Sequence, residues 1–307
     1  MRCFAVLTIV LPAACFFAAA AARGEESETW KLSAELAQKI EAAAPEKAPA
    51  TPARPRKVLV YGRVPTHPES VACCFRAMEI LGRKTGAFEA IATGDPEVFA
   101  PDSLKQFDTV VMNNTHEQRP LMPRDFQQLS AERQKAAAQR EEAFKKSLLS
   151  FVAGGKGIVG IHGAVAGGVR WPEYLELLGG SYSSHITDSV WVKLDEPDHP
   201  LCAPLSGKPF EINDEIYFFG PPHQPEKLRI LMSLDLAKTP DPKKRDDKNY
   251  AVSWVRRYGK GRVFYCSLGH VSSVYCDPLV LRHYLAGIQF AVGDLKAEAQ
   301  PREKSDQ

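Results

Sequence analysis

The sequence predicts an α/β domain of flavodoxin-like type, with a mostly parallel sheet and helices on both faces. Two observations carry this prediction. Short apolar runs alternate with longer stretches of helical periodicity from residue 57 onward, the pattern of a parallel sheet buried on both sides. Several runs also end in glycine, as in "GKGIVGIHGAVAGG" over 155–168, where a buried strand must break into a turn. Strands are expected at "KVLVYG" (57–62), "FEAIAT" (88–93), "FDTVVMNN" (107–114) and "GIVGI" (157–161). Helices are expected over 69–84, roughly 130–153 and 277–293. The C-terminal half carries extra strand-like runs at 189–194, 228–234, 250–257 and 262–268, read as inserted or edge strands. Segment 237–249 reads as a polar surface loop, and no internal repeat is visible.

The flanks have a different character. "MRCFAVLTIVLPAACFFAAAAARGEE" has one early basic residue, an apolar run and small residues before Arg23, the layout of a secretory signal peptide over 1–23. An uncleaved membrane anchor is disfavoured by Pro12 and by the weak hydrophobicity of alanine, and a lipoprotein signal by Pro12. The expected destination is therefore periplasmic or secreted, with no stable membrane span in the mature chain. Residues 24–56, rich in Ala, Glu and Pro, read as an extended tether with a short helix near 30–44. The domain proper is expected at 57–293, and 294–307 as a disordered tail.

Composition excludes some functions. With 44% hydrophobic and 25% charged residues and a formal net charge of +2, the chain supports a sizeable core but no long-range field. No basic stretch is interleaved with aromatics, so nucleic acid is not an expected partner. Without the leader five cysteines remain (Cys73, Cys74, Cys202, Cys266 and Cys276) and none has C-x-x-C spacing. Neither a disulfide framework nor a cysteine zinc site is expected, and most of these thiols should be small buried hydrophobes.

In an open parallel sheet ligands bind outside the carboxyl ends of the strands. That rule gathers His67 and Ser70 after the first strand, Asn113, Asn114 and His116 after the third, His162 after "GIVGI", and His270 after "YCSL". A strand that bends sharply into a helix holds its turn residue clear of the sheet. Here that residue is an imidazole, able to act as acid or base or to bind a metal. "GGSYSSH" adds His185, and "FEINDEIYFF" places Asp214 and Glu215 amid apolar residues, where unpartnered carboxylates are costly. One of the two should face inward and the other outward. Trp171 and Tyr182 are aromatics of the kind that stack on sugar rings. "DHP" (198–200) reads as a turn.

These segments resemble the ThuA-like, or trehalose-utilisation, family, whose fold is similar to that of class I glutamine amidotransferases. The resemblance runs from about 57 to 293 through "HPES", "NNT", "GIHGA", "WPEYLELLGGSYSSH", "DHPL", "NDEIYFF", "YGKGRVFYCSLGH" and "YCDPLVLRHYLAGIQFAVG". It implies a role in disaccharide catabolism, on a trehalose-like glycoside or a 3-keto-sugar. His162 stands where amidotransferases hold a nucleophilic cysteine, so thiolate chemistry on glutamine is not expected. The expectation is an exported enzyme with His162, Glu215 and His270 as catalytic groups. His67, Ser70, Asn113, Asn114, Trp171, His185 and Asp214 would bind substrate. A divalent metal, zinc first, suits this residue set; no nucleotide cofactor is expected, and homo-oligomerisation stays open. The alternative is a non-catalytic carbohydrate-binding protein on the same scaffold. The chain departs from the family pattern at "GRVPTHPES" and at "GAVAGGVRWPEY", which changes two walls of the expected pocket.

Overall fold

The computed structural model describes residues 32–63, 67–239 and 244–302; the leader lies outside them. Among the described residues nine strands form one sheet: β1 (Lys57–Gly62), β2 (Glu89–Thr93), β3 (Thr109–Asn113), β4 (Gly157–Ile161), β5 (Ser181–Leu194), β6 (Phe210–Gly220), β7 (Arg229–Leu234), β8 (Ala251–Tyr258) and β9 (Gly261–Cys266). Their order is β2-β1-β3-β4-β9-β8-β7-β5-β6. The four pairings from β2 to β9 are parallel and the four from β9 to β6 are antiparallel. The sheet is therefore mixed, which corrects the mostly parallel expectation. The reason is local: "YGKG" turns β8 into β9 through Gly259 and Lys260 alone, with Tyr258 paired to Gly261. A two-residue link can join only antiparallel neighbours.

The helices are α1 (Ala34–Ala43), α2 (Pro68–Thr85), α3 (Pro101–Leu104), α4 (Ala131–Ala153), α5 (Pro172–Leu178) and α6 (Pro278–Val292). Alternate residues of each central strand feed the two faces. Val58, Val60, Val111, Val159 and Phe264 pack with α2 and α6 residues such as Ile80 and Leu285. Leu59, Tyr61, Val110, Ile158 and Tyr265 pack with α4 and α5 residues such as Leu148 and Leu178. Burial on both faces explains why these strands read as continuous apolar runs. All five described cysteines are free, and only Cys276 is not buried.

The flanks also differ from expectation. Residues 32–56 are not an extended tether along their described length: Ile40 and Ala44 are buried in the core. Lys84 Nζ donates to the carbonyls of Glu41 and Ala44 at the end of α1. Gln289 clamps the Ala50 backbone through both amide atoms, and Arg56 pairs with Asp294. The expected tail is likewise docked as far as residue 302, with Ala299 buried and the Glu298 carbonyl 2.8 Å from His199 Nε2. Composition marked both segments as unfit to form their own core, yet it is silent on whether a neighbour's surface will hold them. Among the described residues, no helix is long and apolar enough to cross a membrane.

Candidate functional site

Register brings the site together. Gly62 pairs with Asn113, Asn113 with Ile161, and Ile161 with Cys266, so the chain leaves four adjacent parallel strands at one level. The residues just beyond these strand ends therefore meet at one rim: His67, Asn114 and His116, His162, and Ser267 to His270. From the antiparallel half, β6 crosses this rim with Asp214, Glu215 and Tyr217, and β5 adds Tyr182 and His185.

His162 sits in the turn His162–Val165 immediately after β4, at φ 42°. A non-glycine residue in this region is strained and is held by its surroundings. Its carbonyl accepts from Tyr265 Oη at 2.9 Å, and Nδ1 lies 2.6 Å from the Ser267 carbonyl. A carbonyl can only accept, so Nδ1 carries a proton toward Ser267 and Nε2 is the ring atom that faces the site. That Nε2 lies 3.0 Å from Glu215 Oε2 and 3.2 Å from His270 Nδ1. His270 Nδ1 is itself 3.0 Å from Glu215 Oε2, and His185 Nε2 is 3.1 Å from Glu215 Oε1. Burial works against the charged Glu215 carboxylate, but His162 and His270 outweigh it and hold its pKa well below the usual range. The same contact raises the pKa of His270.

Asp214 and Glu215 divide their labour. Asp214 is buried and accepts from the backbone N–H groups of Gly269, His270 and Val271 at 2.7, 3.0 and 2.9 Å. It folds the loop that carries His270, with Gly269 at φ 132° making the bend. It positions a site residue rather than reaching the site. Glu215, one residue on and so on the opposite side of the strand, points at the imidazoles.

A second layer surrounds this centre. His116 places Nδ1 2.9 Å from the Asn114 carbonyl and Nε2 3.2 Å from Tyr217 Oη. Nδ1 therefore donates and Nε2 accepts the tyrosine proton. Burial, reinforced by the neighbouring His162, pushes the His116 pKa down to about 4, so the ring is neutral at pH 7. The Tyr217 ring lies over His162 with centroids 4.2 Å apart, and burial pushes its hydroxyl pKa up. His67 packs against both His270 and His116, at 4.6 and 4.7 Å between centroids. Its pKa is lowered, first by burial and then by His270. Gly163 makes room for this layer: a Cβ there would lie 2.1 Å from His116 Cε1.

Of the expected residues, His67, His162, His185, Glu215 and His270 meet. Asn113 and Asn114 lie beneath them as scaffold. Asn113 Nδ2 donates to the Val71 carbonyl, while Asn114, at φ 50°, donates to Asn113 and to the Tyr275 hydroxyl. Ser70 is committed to the first turn of α2, donating to the His67 carbonyl. Trp171 is a correction: it is 2% exposed and stacked on Tyr174 in the core beneath α4 and α5, away from the imidazoles. The expected set lacks Tyr217, and His116 stands only among the strand-end groups. The signal for Tyr217 is its position two residues after Glu215, on the same side of β6.

The imidazole and carboxylate atoms His162 Nε2, His270 Nδ1 and Glu215 Oε2 are a donor set able to hold a metal ion. The cavity of about 520 Å³ beside Lys193, Glu226 and Asn249 contains none of these residues.

Comparison with known proteins accords with this architecture. The structure is similar to a ThuA-like protein from Bacteroides uniformis, with a TM-score of 0.59 at 19% identity, covering 79% of this chain and 94% of that one. It is similar to a ThuA-like protein from Parabacteroides merdae, with a TM-score of 0.56 at 16% identity, covering 82% and 93%. At these identities the likeness concerns the fold. No curated protein matches in sequence. The family model for ThuA, trehalose utilisation, matches residues 57–291, which is most of the chain, and the protein belongs to that family.

Proposed function

We propose that this protein is an enzyme of carbohydrate catabolism, acting on a trehalose-like glycoside or a 3-keto-sugar. It would hold a divalent metal between His162, His270 and Glu215. The observation that carries this reading is the mutual approach of three potential ligand atoms to 3.0–3.2 Å, with the far side of His162 already committed to the Ser267 carbonyl. A set of two imidazoles and one carboxylate suits zinc or another divalent ion of the first transition row. Bound there, the ion would supply Lewis acidity toward a substrate carbonyl or hydroxyl.

The burial of His162, 0% exposed, argues against its trading protons with substrate directly and for its role as a ligand. Proton transfer falls instead to His67, a neutral imidazole that remains partly accessible, while His116, with both ring nitrogens committed, holds Tyr217 in place. Tyr217 donates its hydrogen bond to His116 and keeps that ring's proton inventory defined. In a keto-sugar the C–H beside the carbonyl is acidified, so one imidazole base and one proton donor suffice for elimination or hydration. The signal-peptide-like pattern of residues 1–23 in the sequence supports export as the setting for this chemistry.

The test is elemental analysis of the purified protein together with turnover of 3-keto-disaccharides, with and without chelator. Stoichiometric metal and chelator-sensitive turnover are expected. His162→Ala retaining both would overturn the mechanism. Tyr182, exposed at the rim beside His185, favours sugar contact in either case; binding with no product formed would select the non-catalytic alternative.

A further inference from the structure

We infer that the cavity walled by Arg63, Arg124 and Arg170 is an anion site for the carboxylate or phosphate of an acidic sugar held at the neighbouring histidine centre. The inference rests on the carbohydrate reading above and narrows its substrate class to anionic sugars.

The cavity has a volume of about 320 Å³. Arg63 leaves the end of β1 and is 4% exposed. Its Nη1 donates to the carbonyls of Pro120 and Met122 at 3.0 and 2.6 Å. Both hydrogens of that nitrogen are thereby used, so Glu117 Oε2, 3.0 Å away, receives charge attraction but no hydrogen bond. On the other edge Nε is buried without a hydrogen-bond partner, while the Tyr61 hydroxyl lies within reach of the guanidinium. An arginine locked on one edge with Nε unmet keeps a donor of the kind that a carboxylate or phosphate engages. Leaving such a buried donor unmet is costly, which argues for a partner.

The surrounding charge is of the right sign. Arg119 is neutralised by Glu141, but Arg124 and Arg170 form no ion pair or hydrogen bond among the described residues. Against the guanidinium groups of Arg63, Arg124 and Arg170 stands one carboxylate of the cavity wall, Glu117. Burial raises its pKa, opposed by Arg63 and Arg124.

The cavity adjoins the centre along the chain. Arg63 and His67 leave the same strand end, and Glu117 comes directly after His116. The Gly168 N–H donates to the Glu117 carbonyl at 3.0 Å, which ties the loop that starts at His162 and reaches Arg170 to this wall.

Titration calorimetry at constant ionic strength with glucuronate, glucose 6-phosphate, glucose and inorganic phosphate tests the assignment. At least one sugar anion should bind tenfold or more tightly than glucose, and the winner distinguishes carboxylate from phosphate. Arg63→Lys keeps the charge but removes the Nε donor and should lose most of that preference. Arg124→Ala/Arg170→Ala changes only exposed residues, so folding is not in question, and should weaken the sugar anion roughly tenfold. Equal binding of glucose, or an unchanged double variant, overturns the inference. Inorganic phosphate binding as tightly as both sugar anions overturns it as a substrate subsite. In His162→Ala, loss of metal without loss of anion binding separates failure of this site from failure of the mechanism.

Discussion

Asp214→Asn is a sharp test of how the site is built, because one buried carboxylate organises the loop that carries His270. Its three backbone N–H partners lie at 2.7–3.0 Å, one on Oδ2 and two on Oδ1. Asparagine preserves shape but not chemistry. Its oxygen can keep the His270 and Val271 bonds, while its amide nitrogen then faces the Gly269 N–H, donor against donor. An unmet buried donor costs about 1–3 kcal/mol, and two bonds reduced from charged to neutral acceptors lose about 1 kcal/mol each. The expected destabilisation is therefore about 3–5 kcal/mol. Urea unfolding at pH 7 reads it as a lower midpoint at unchanged slope. A parallel metal titration should show weakened binding, since His270 is no longer held. A loss below about 1 kcal/mol with metal affinity intact would refute the claim that Asp214 supports the His270 loop.

Other perturbations probe independent parts of the molecule. Gly163→Ala should push His116 from its place, because the new methyl falls 2.1 Å from the ring; the cost should be about 1–3 kcal/mol and should shrink in a His116→Ala background, as a double-mutant cycle of unfolding energies would reveal. Trp171→Leu should lower thermal stability by about 1–3 kcal/mol while leaving sugar affinity unchanged; a selective loss of sugar binding would restore it to the site. Burial lowers the His283 pKa from 6.5 to about 4. The unfolded chain therefore takes up a proton that the folded chain refuses as pH falls from about 6.5 to about 4. That removes stability over this window, up to about 3 kcal/mol. His283→Asn should flatten that acid slope in urea unfolding measured between pH 7 and 4.5.

Much of the candidate site could be read from single segments. His162 stood out because a glycine-flanked imidazole at the end of an apolar run has few structural uses, and the strand-end rule then collected His67, Asn114 and His270. Trp171 and Tyr217 show the limit of such reading. Both are aromatics near a histidine or carboxylate in the chain, yet one stacks on Tyr174 in the core and the other covers His162. Tyr217 shares a strand face with Glu215 two residues earlier, but the distant neighbour that decides each ring's surroundings cannot be read from such spacing. Asp214 and Glu215 were legible as a pair with opposed faces, with Glu215 expected beside His162 and His270; that Asp214 instead holds the His270 loop was not legible.

Local physics alone determined the apolar strands, the helices between them and the position of the turn at His162, since periodicity and glycine placement act within a few residues. Tertiary structure decided the antiparallel half of the sheet and the docking of 32–56 and 294–302. It also decided the convergence of His162, His270 and Glu215. The docking and the convergence depend on contacts between segments 50 or more residues apart, and such contacts are chosen by the energy of the whole packed chain rather than by any one stretch of it.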